Sequence, residues 1–349
     1  MPPSPGERGP APRRAVFYNR AMALDRDLGV AVLSAWGSGR GRPGRGWEML
    51  AATGARGLRL RNETEALGEL HLTEWNPEAS EVLRSNAAGL SLAGVSVEAA
   101  DARKVPAAAP YDYVDLDPFG TPVPFLDAAL TALAPEGLLA VTATDMPVLA
   151  GVQPGACNRR YGADPLRGRL ASEAGLRILL AHVVGRAAEK GIQLRPVLSY
   201  VLDHHVRMYL RRREEPVAPP IEQVPSPRCA SPPLPGGGPY GPLWVGPLFE
   251  QGFVARLRTP TSAELPEALD TLLQRFRGES LVDVPFYYEP NRLAHATAVP
   301  EPPGLEALFR EISARGFRVA RCHVQPSAFR TDAPYPELES IVRQLAGAR

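Results

Sequence analysis

The sequence predicts an α/β protein: a main domain built on a mostly parallel sheet, followed by a smaller second unit. Three observations carry that expectation. From residue 47 to residue 210, short apolar or alternating runs with strand character recur between segments of helical spacing, the pattern of βαβ units. The last two strand-like runs are joined around Asp203 and His204, which implies an antiparallel strand at one edge. A proline-rich stretch then sets residues 240–349 apart. The length, 349 residues, suits two domains at roughly 100–200 residues each.

The elements follow in order. Residues 1–14, MPPSPGERGPAPRR, read as a disordered tail, since Pro, Gly and Arg bury no core. Residues 15–36 read as a helix, with Met22, Leu24, Leu28, Val32 and Leu33 near helical spacing. GSGRGRPGRG, residues 37–46, is a flexible loop by composition, either plainly solvated or touching phosphate through Arg40, Arg42 and Arg45. Trp47–Ala52 reads as the first strand. Glu69–Thr73, Val95–Ala99, Tyr111–Leu116 and Leu138–Thr142 supply the next strands, with helices at Asn76–Asn86 and Pro124–Leu133. A long helical pattern covers 166–190 and leads to strands at Leu194–Val201 and Val206–Leu210. Residues 214–239 read as a semi-rigid linker or extended surface loop. Beyond it, Gly304–Arg315 is helical, Arg318–His323 a strand and Glu337–Leu345 a terminal helix. The expected domains are thus 15–213 and 240–349.

Composition narrows the class. Apolar residues at 44% and charged residues at 22% fit a globular protein and argue against wholesale disorder. No run approaches the roughly 20 apolar residues of a membrane span, and the N-terminus has no apolar segment of the secretory kind. Cys157, Cys229 and Cys322 form no CxxC pair, which argues against a zinc cluster or disulfide framework. A cytoplasmic, metal-free protein is expected, with no obligate protein partner evident. The net charge of +1 hides a division: residues 61–155 carry 14 acidic against 4 basic side chains, and residues 156–213 carry 12 basic against 4 acidic. Such blocks either present a basic face to a polyanion or are ordinary solvated faces.

Ala51-Ala52-Thr53-Gly54-Ala55-Arg56-Gly57 follows the first strand and opens a helix. Glycines there let a ligand approach the backbone, and helix N-terminal N–H groups can receive its polar atoms. Glu74 lies 20 residues past Gly54, at the end of the second strand, where a carboxylate can accept both ribose hydroxyls of a nucleoside cofactor. Asp101 ends the third strand, where it can meet an adenine amino group. Each acid has a plain alternative as a strand-end turn residue, but all three strand ends converge on one crevice. The turn lacks the full GxGxxG dinucleotide pattern, so S-adenosyl-L-methionine fits better than NAD.

Asp115-Leu116-Asp117-Pro118-Phe119-Gly120 ends the fourth strand. An exocyclic amine of a nucleobase is a poor nucleophile, because its lone pair conjugates with the ring. Asp117 and the Pro118 carbonyl can accept its two hydrogens and turn the lone pair toward a methyl group. Phe119 can stack on the base, and no metal is required. The plain alternative is a turn with Pro second and Gly fourth. His204 and His205 suit an RNA or structural contact rather than a metal, while Arg159, Arg160 and Tyr161 suit the RNA backbone or a solvated pair.

At this point the chain resembles the tRNA (guanine-26-N2)-dimethyltransferase family. The resemblance rests on Val16-Phe17-Tyr18-Asn19 through Asp25-Arg26-Asp27, the ATGARG turn, DLDPFG and Thr142-Ala143-Thr144-Asp145. It extends to Cys157–Arg160 with Tyr161-Gly162, Pro165-Leu166-Arg167, Ser199-Tyr200 with Asp203-His204, Gly241-Pro242-Leu243-Trp244 and Thr331-Asp332-Ala333-Pro334-Tyr335. It implies a class I (Rossmann-like) methyltransferase fold with a smaller α+β C-terminal domain that helps grip tRNA. The donor would be S-adenosyl-L-methionine, leaving as S-adenosyl-L-homocysteine. Arg26 and Arg56 would hold the donor's polar end, Glu74 its ribose, and Asp101 with Ala102 its adenine. Asp117, Pro118 and Phe119 would handle the base, and Arg159, Arg160, His204 and Thr331 would contact RNA. The chain departs from the family pattern at Arg20, where Pro is frequent, and at Glu74, where Asp is common. Two rival readings are an amino-methyltransferase for DNA adenine or ribosomal guanine, and a tRNA-binding protein with a vestigial donor site.

Overall fold

The first strand is set by small residues rather than by an apolar run. In the computed structural model, which describes residues 18–105, 109–215, 218–224, 238–282 and 284–347, β1 (Gly44–Glu48) begins inside the stretch read as a loop. Its neighbours press close: a Cβ at Gly44 would stand 2.9 Å from the Asp112 side chain, and one at Gly46 3.0 Å from Leu67. Arg40 pairs with Asp112, the Arg45 N–H donates to the same carboxylate at 2.9 Å, and Arg45 Nε donates to Glu69 at 2.8 Å. Residues 38–43 are an exposed turn and bend, as a solvated loop predicts, with Arg42 66% exposed, whereas Gly44–Gly46 belong to the strand and carboxylates hold Arg40 and Arg45. The expected tail at 1–14, together with Val16, Phe17 and Cys229, lies outside the described residues.

A one-turn 3₁₀ segment at Arg20–Met22 leads into α1 (Ala23–Gly37), whose start is later than the helix expected from residue 15. After β1 come α2 (Ala55–Glu63), β2 (Leu67–Thr73), α3 (Pro77–Leu90), β3 (Val95–Glu98), β4 (Tyr111–Leu116), α4 (Val123–Ala132) and β5 (Leu133–Ala143). Then follow α5 (Met146–Leu149), α6 (Pro154–Tyr161), α7 (Ala171–Glu189), β6 (Gln193–Leu202) and β7 (His205–Arg213). α7 starts five residues later than the pattern suggests, since Gly168 sits at φ +89°, outside helical geometry. The strands form one seven-stranded sheet in the order β3-β2-β1-β4-β5-β7-β6, with β7 antiparallel to both neighbours. The crossover from β1 to β2 on one side and β4 on the other makes a switch point, the place where open α/β sheets hold ligands in a crevice outside the strand ends.

The proline-rich stretch is partly structured. β8 (Ile221–Val224) lies within it and pairs antiparallel with β9 (Tyr240–Trp244), which packs against α7. The chain continues through α8 (Gln251–Val254), α9 (Pro266–Glu279), α10 (Pro290–Ala296), α11 (Leu305–Ala314), the β10 (Val319–Arg321) and β11 (Phe329–Thr331) hairpin, and α12 (Tyr335–Gly347). No helix among the described residues is long and apolar enough to cross a membrane.

Candidate active site

Two corners of the crevice are built by adjoining strands. At the tip of β1 the backbone turns sharply, with Ala52 at φ +48° and Gly54 at φ +77°. A Cβ on Gly54 would lie 2.4 Å from Leu83, so only glycine fits. Glu74, one residue past β2, accepts the Ala52 N–H on Oε2 and the Asn76 N–H on Oε1, both at 2.8 Å. These bonds fix a largely buried carboxylate against the glycine turn, and Trp75 beside it is 69% exposed. Asp101 lies on the same edge of the sheet, beyond β3. Hydrogen bonds from Arg103 hold its carboxyl at about 2, so it is ionised. Ala102 is buried.

The second corner is the segment after β4. Arg56, in the first turn of α2, donates through Nη2 to Asp117 Oδ2 at 3.0 Å and to Asp25 Oδ2 at 2.6 Å. Its Nη1 is buried without a partner among the described residues. Pro118 is buried, and Phe119 is 74% exposed on the outer side. The turn is braced from behind: Gly120 N–H donates to Thr144 Oγ1 at 2.7 Å, and Thr144 N–H returns to the Gly120 carbonyl at 2.9 Å. The Tyr161 hydroxyl bridges Thr121 and Asp145, 2.8 Å from an oxygen of each. Arg26, in the first turn of α1, donates to the Asn19 carbonyl and the Tyr18 hydroxyl, both at 3.0 Å.

Behind both corners lies a buried ionic cluster. Arg207 on β7 grips Asp115 on β4 with bonds of 2.7 and 3.1 Å, and the Tyr113 hydroxyl donates to the same carboxylate at 2.6 Å. Burial pushes the Asp115 and Asp25 carboxyls up, but their cationic neighbours, Arg207 and Arg56 foremost, more than reverse it. Glu48 at the end of β1 goes the other way: burial, and then the charge of Asp115, raise it to about 8.

The structure brings Gly54 and Glu74 together on one side and Arg56, Asp117 and Phe119 on the other, at the same end of adjoining parallel strands. Arg159 and Arg160 are exposed on α6, Arg160 donating to Asp145 at 3.2 Å, and His204 is exposed in the β6–β7 turn. All three lie at the sheet edge that carries Asp117. Thr331 does not. It is wholly buried in the β10–β11 hairpin, donating to the Arg318 carbonyl at 2.6 Å, so it packs the core rather than meeting RNA. His205 is also internal and bonds Asp25 at 3.1 Å. Sequence reasoning missed Glu48, Asp115 and Arg207. The available signal was charge inside β1, β4 and β7, where a buried ion requires a partner on the adjacent strand. Among the described residues, Glu279, Cys322 and His323 gather three groups of metal-ligating type. There, however, the Glu279 carboxylate is taken up by the His323 ring, the His323 N–H and Arg330.

A family model described as N2,N2-dimethylguanosine tRNA methyltransferase matches residues 10–220 and 237–343. The chain belongs to that family. A tRNA (guanine(26)-N(2))-dimethyltransferase of Thermococcus kodakarensis is 34% identical over 95% of this chain and 93% of its own length. The enzyme of that name from Halobacterium salinarum is 33% identical over 94% and 93%. The solved structure of Trm1 from Pyrococcus horikoshii, in complex with S-adenosyl-L-methionine, superposes with a TM-score of 0.83 at 27% identity, covering 95% of this chain and 96% of that one. The family's fold and the seven-stranded sheet described above agree.

Proposed function

We propose that the chain transfers one or two methyl groups from S-adenosyl-L-methionine to the exocyclic N2 of guanine 26 in tRNA, giving N2-methyl- and N2,N2-dimethylguanosine. The observation that carries this reading is the corner at Asp117: an ionic clamp from Arg56 on one carboxylate oxygen, an exposed ring two residues on, and the glycine turn with Glu74 at the end of the neighbouring strands.

The residues present fit the donor. The glycine turn at Gly54 leaves no side chain between backbone and ligand, Glu74 is held by two N–H groups with lone pairs to spare, and Arg56 Nη1 is a buried cationic donor without a partner among the described residues. Arg26 and Arg56 would hold the donor's polar end, Glu74 its ribose, and Asp101 with Ala102 its adenine. When bound, the donor supplies an electrophilic methyl group on sulfur, and S-adenosyl-L-homocysteine remains.

The chain's own residues do the rest. Arg56 occupies Asp117 Oδ2, which leaves Oδ1 to accept one N2–H of guanine, while the Pro118 carbonyl accepts the other. In the first transfer, with both hydrogens engaged, the lone pair would be localised on nitrogen and open to an electrophilic methyl group, which attack requires within ~3–3.5 Å. Phe119 stacks on the guanine once it has left its own stack. The amine proton passes to a nearby carboxylate or water after transfer. Arg159, Arg160 and His204 flank this corner on the outer face, where they suit contact with the tRNA backbone. A tRNA substrate is in keeping with a cytoplasmic enzyme.

The test is incubation of the protein with radiolabelled donor and unmodified tRNA transcripts carrying G26 or A26, followed by nucleoside analysis. Label in N2-methylguanosine and N2,N2-dimethylguanosine from the G26 transcript alone is the expected result. Equal label from the A26 transcript would overturn the assigned position, and none from either would overturn the activity.

A further inference from the structure

Asp25 is wholly buried in the first turn of α1 and reaches no solvent, yet three other elements converge on it. Its Oδ2 takes Arg56 Nη2 from α2 at 2.6 Å. Its Oδ1 takes the Tyr200 hydroxyl from β6 at 2.5 Å and lies 3.1 Å from His205 Nε2 at the start of β7. The same Nη2 holds Asp117 at 3.0 Å. A guanidinium nitrogen is planar and carries two N–H bonds in a fixed fork. Once one of these bonds is aimed at Asp25, the direction of the other is no longer free, and that second bond defines where Asp117 Oδ2 sits.

We infer that Asp25 is a positioning residue for methyl transfer: anchored by Tyr200 and His205, it fixes the Arg56 fork and through it the orientation of the Asp117 carboxylate toward the target amine. This rests on the function proposed above and adds a residue that touches neither donor nor base. A purely structural Asp25 would give a different signature. It would change the folded fraction, and with it the amplitude of a single-turnover reaction, but not the rate constant of the molecules that react.

The experiment is single-turnover methylation of a G26 transcript by Asp25→Asn, with tRNA affinity measured by filter binding and S-adenosyl-L-homocysteine affinity by calorimetry. The Asn side chain keeps the shape but turns an N–H toward one of the donors that Asp25 now accepts from. A misplacement of about 1 Å costs on the order of 100-fold, so a 10- to 100-fold lower rate constant is expected, with tRNA affinity within about twofold of wild type. An unchanged rate constant would overturn the inference, as would a loss wholly accounted for by weaker tRNA binding. If Asp25→Asn does not fold, Tyr200→Phe keeps the Asp25 charge and removes one anchor. A several-fold slower rate constant at unchanged affinities supports the inference, and a wild-type rate constant overturns it. Failure of the wild type to methylate G26 would instead refute the proposed function.

Discussion

Arg330 and Glu173 meet across the two halves of the chain: Nη1 and Nη2 of Arg330, on β11, donate to both carboxylate oxygens of Glu173, on α7, at 2.9 and 3.0 Å. Arg177 Nε and the Phe286 N–H share the same carboxylate at 2.8 Å. Both partners are buried, so the pair is unscreened and its desolvation is offset only while the geometry is complete. Glu173→Gln should therefore destabilise the protein by about 3–5 kcal/mol in denaturant unfolding. Burial pushes Glu173 up, but Arg330 and Arg177 outweigh it and bring the carboxyl to about 2, below its ordinary 4.5. The stability it contributes is present above pH 4.5 and is lost as pH falls toward 2. Wild type should show that acid-side loss, and Glu173→Gln should lack its share of it.

Asp117→Ala removes the proposed acceptor for the amine but leaves Arg56 bonded to the buried Asp25, so the fold is expected to survive. Orienting and proton-accepting groups contribute roughly 10²–10⁴-fold. The single-turnover rate should fall by about that factor, with tRNA affinity unchanged within about twofold. Methylation at the wild-type rate would remove Asp117 from the mechanism.

Glu74→Gln keeps an acceptor for one of the Ala52 and Asn76 N–H groups and loses the charge. A hydrogen bond to a charged group contributes about 1.5–3 kcal/mol. Calorimetry with S-adenosyl-L-homocysteine should show about 10- to 100-fold weaker binding, with tRNA affinity unaltered. Loss of tRNA binding alone would place Glu74 elsewhere in the cycle.

Arg159 extends from an exposed stretch of α6. If it meets a backbone phosphate, Arg159→Ala should lower the slope of log K against log salt by about 0.7–0.9, the value of one released counterion. The donor affinity should not change. An identical slope in wild type and variant would show that Arg159 does not touch phosphate.

How far the sequence reveals this architecture differs from element to element. Tyr111–Leu116 was legible to the residue, because an alternating run ending in Asp-Pro has no good alternative to a strand leading into a turn. Gly54, Glu74 and Asp117 were legible through spacing, since each stands at the tip of a strand whose partner order is fixed by the parallel crossover. β1 was not legible at its start, because Gly44 and Gly46 are there to admit Asp112 and Leu67, residues of other strands. β8 was hidden by the prolines around it, and its pairing with β9 spans the segment between them. Thr331 failed for a related reason: a polar residue in a motif reads as exposed, whereas this one satisfies a backbone carbonyl inside a hairpin. The ionic cluster of Asp25, Arg56, Asp115 and Arg207 draws on four separate elements, and no local pattern announces such a convergence.

The same convergence makes Glu48 the best place to read the cluster's charge. Its carboxyl is buried at the end of β1, accepts the Gly57 N–H at 3.1 Å, and leaves no room for a side chain on Gly57, where a Cβ would stand 2.3 Å from Oε2. Burial and the nearby Asp115 raise it from 4.5 to about 8, with Arg56 only partly opposing. For a group whose pKa is higher in the folded state, the unfolded chain releases its proton first as pH rises. The stability that depends on the bound proton is then complete below about pH 4.5 and declines until pH passes about 8. Glu48→Gln keeps the acceptor for Gly57 and cannot ionise. It should therefore be more stable than wild type at pH 8.5, with the difference shrinking toward pH 5, when melting is followed at both values. Parallel pH profiles for the two proteins would mean that Glu48 is already ionised inside the fold and that Arg56 and Arg207 neutralise more of this cluster than their contacts suggest.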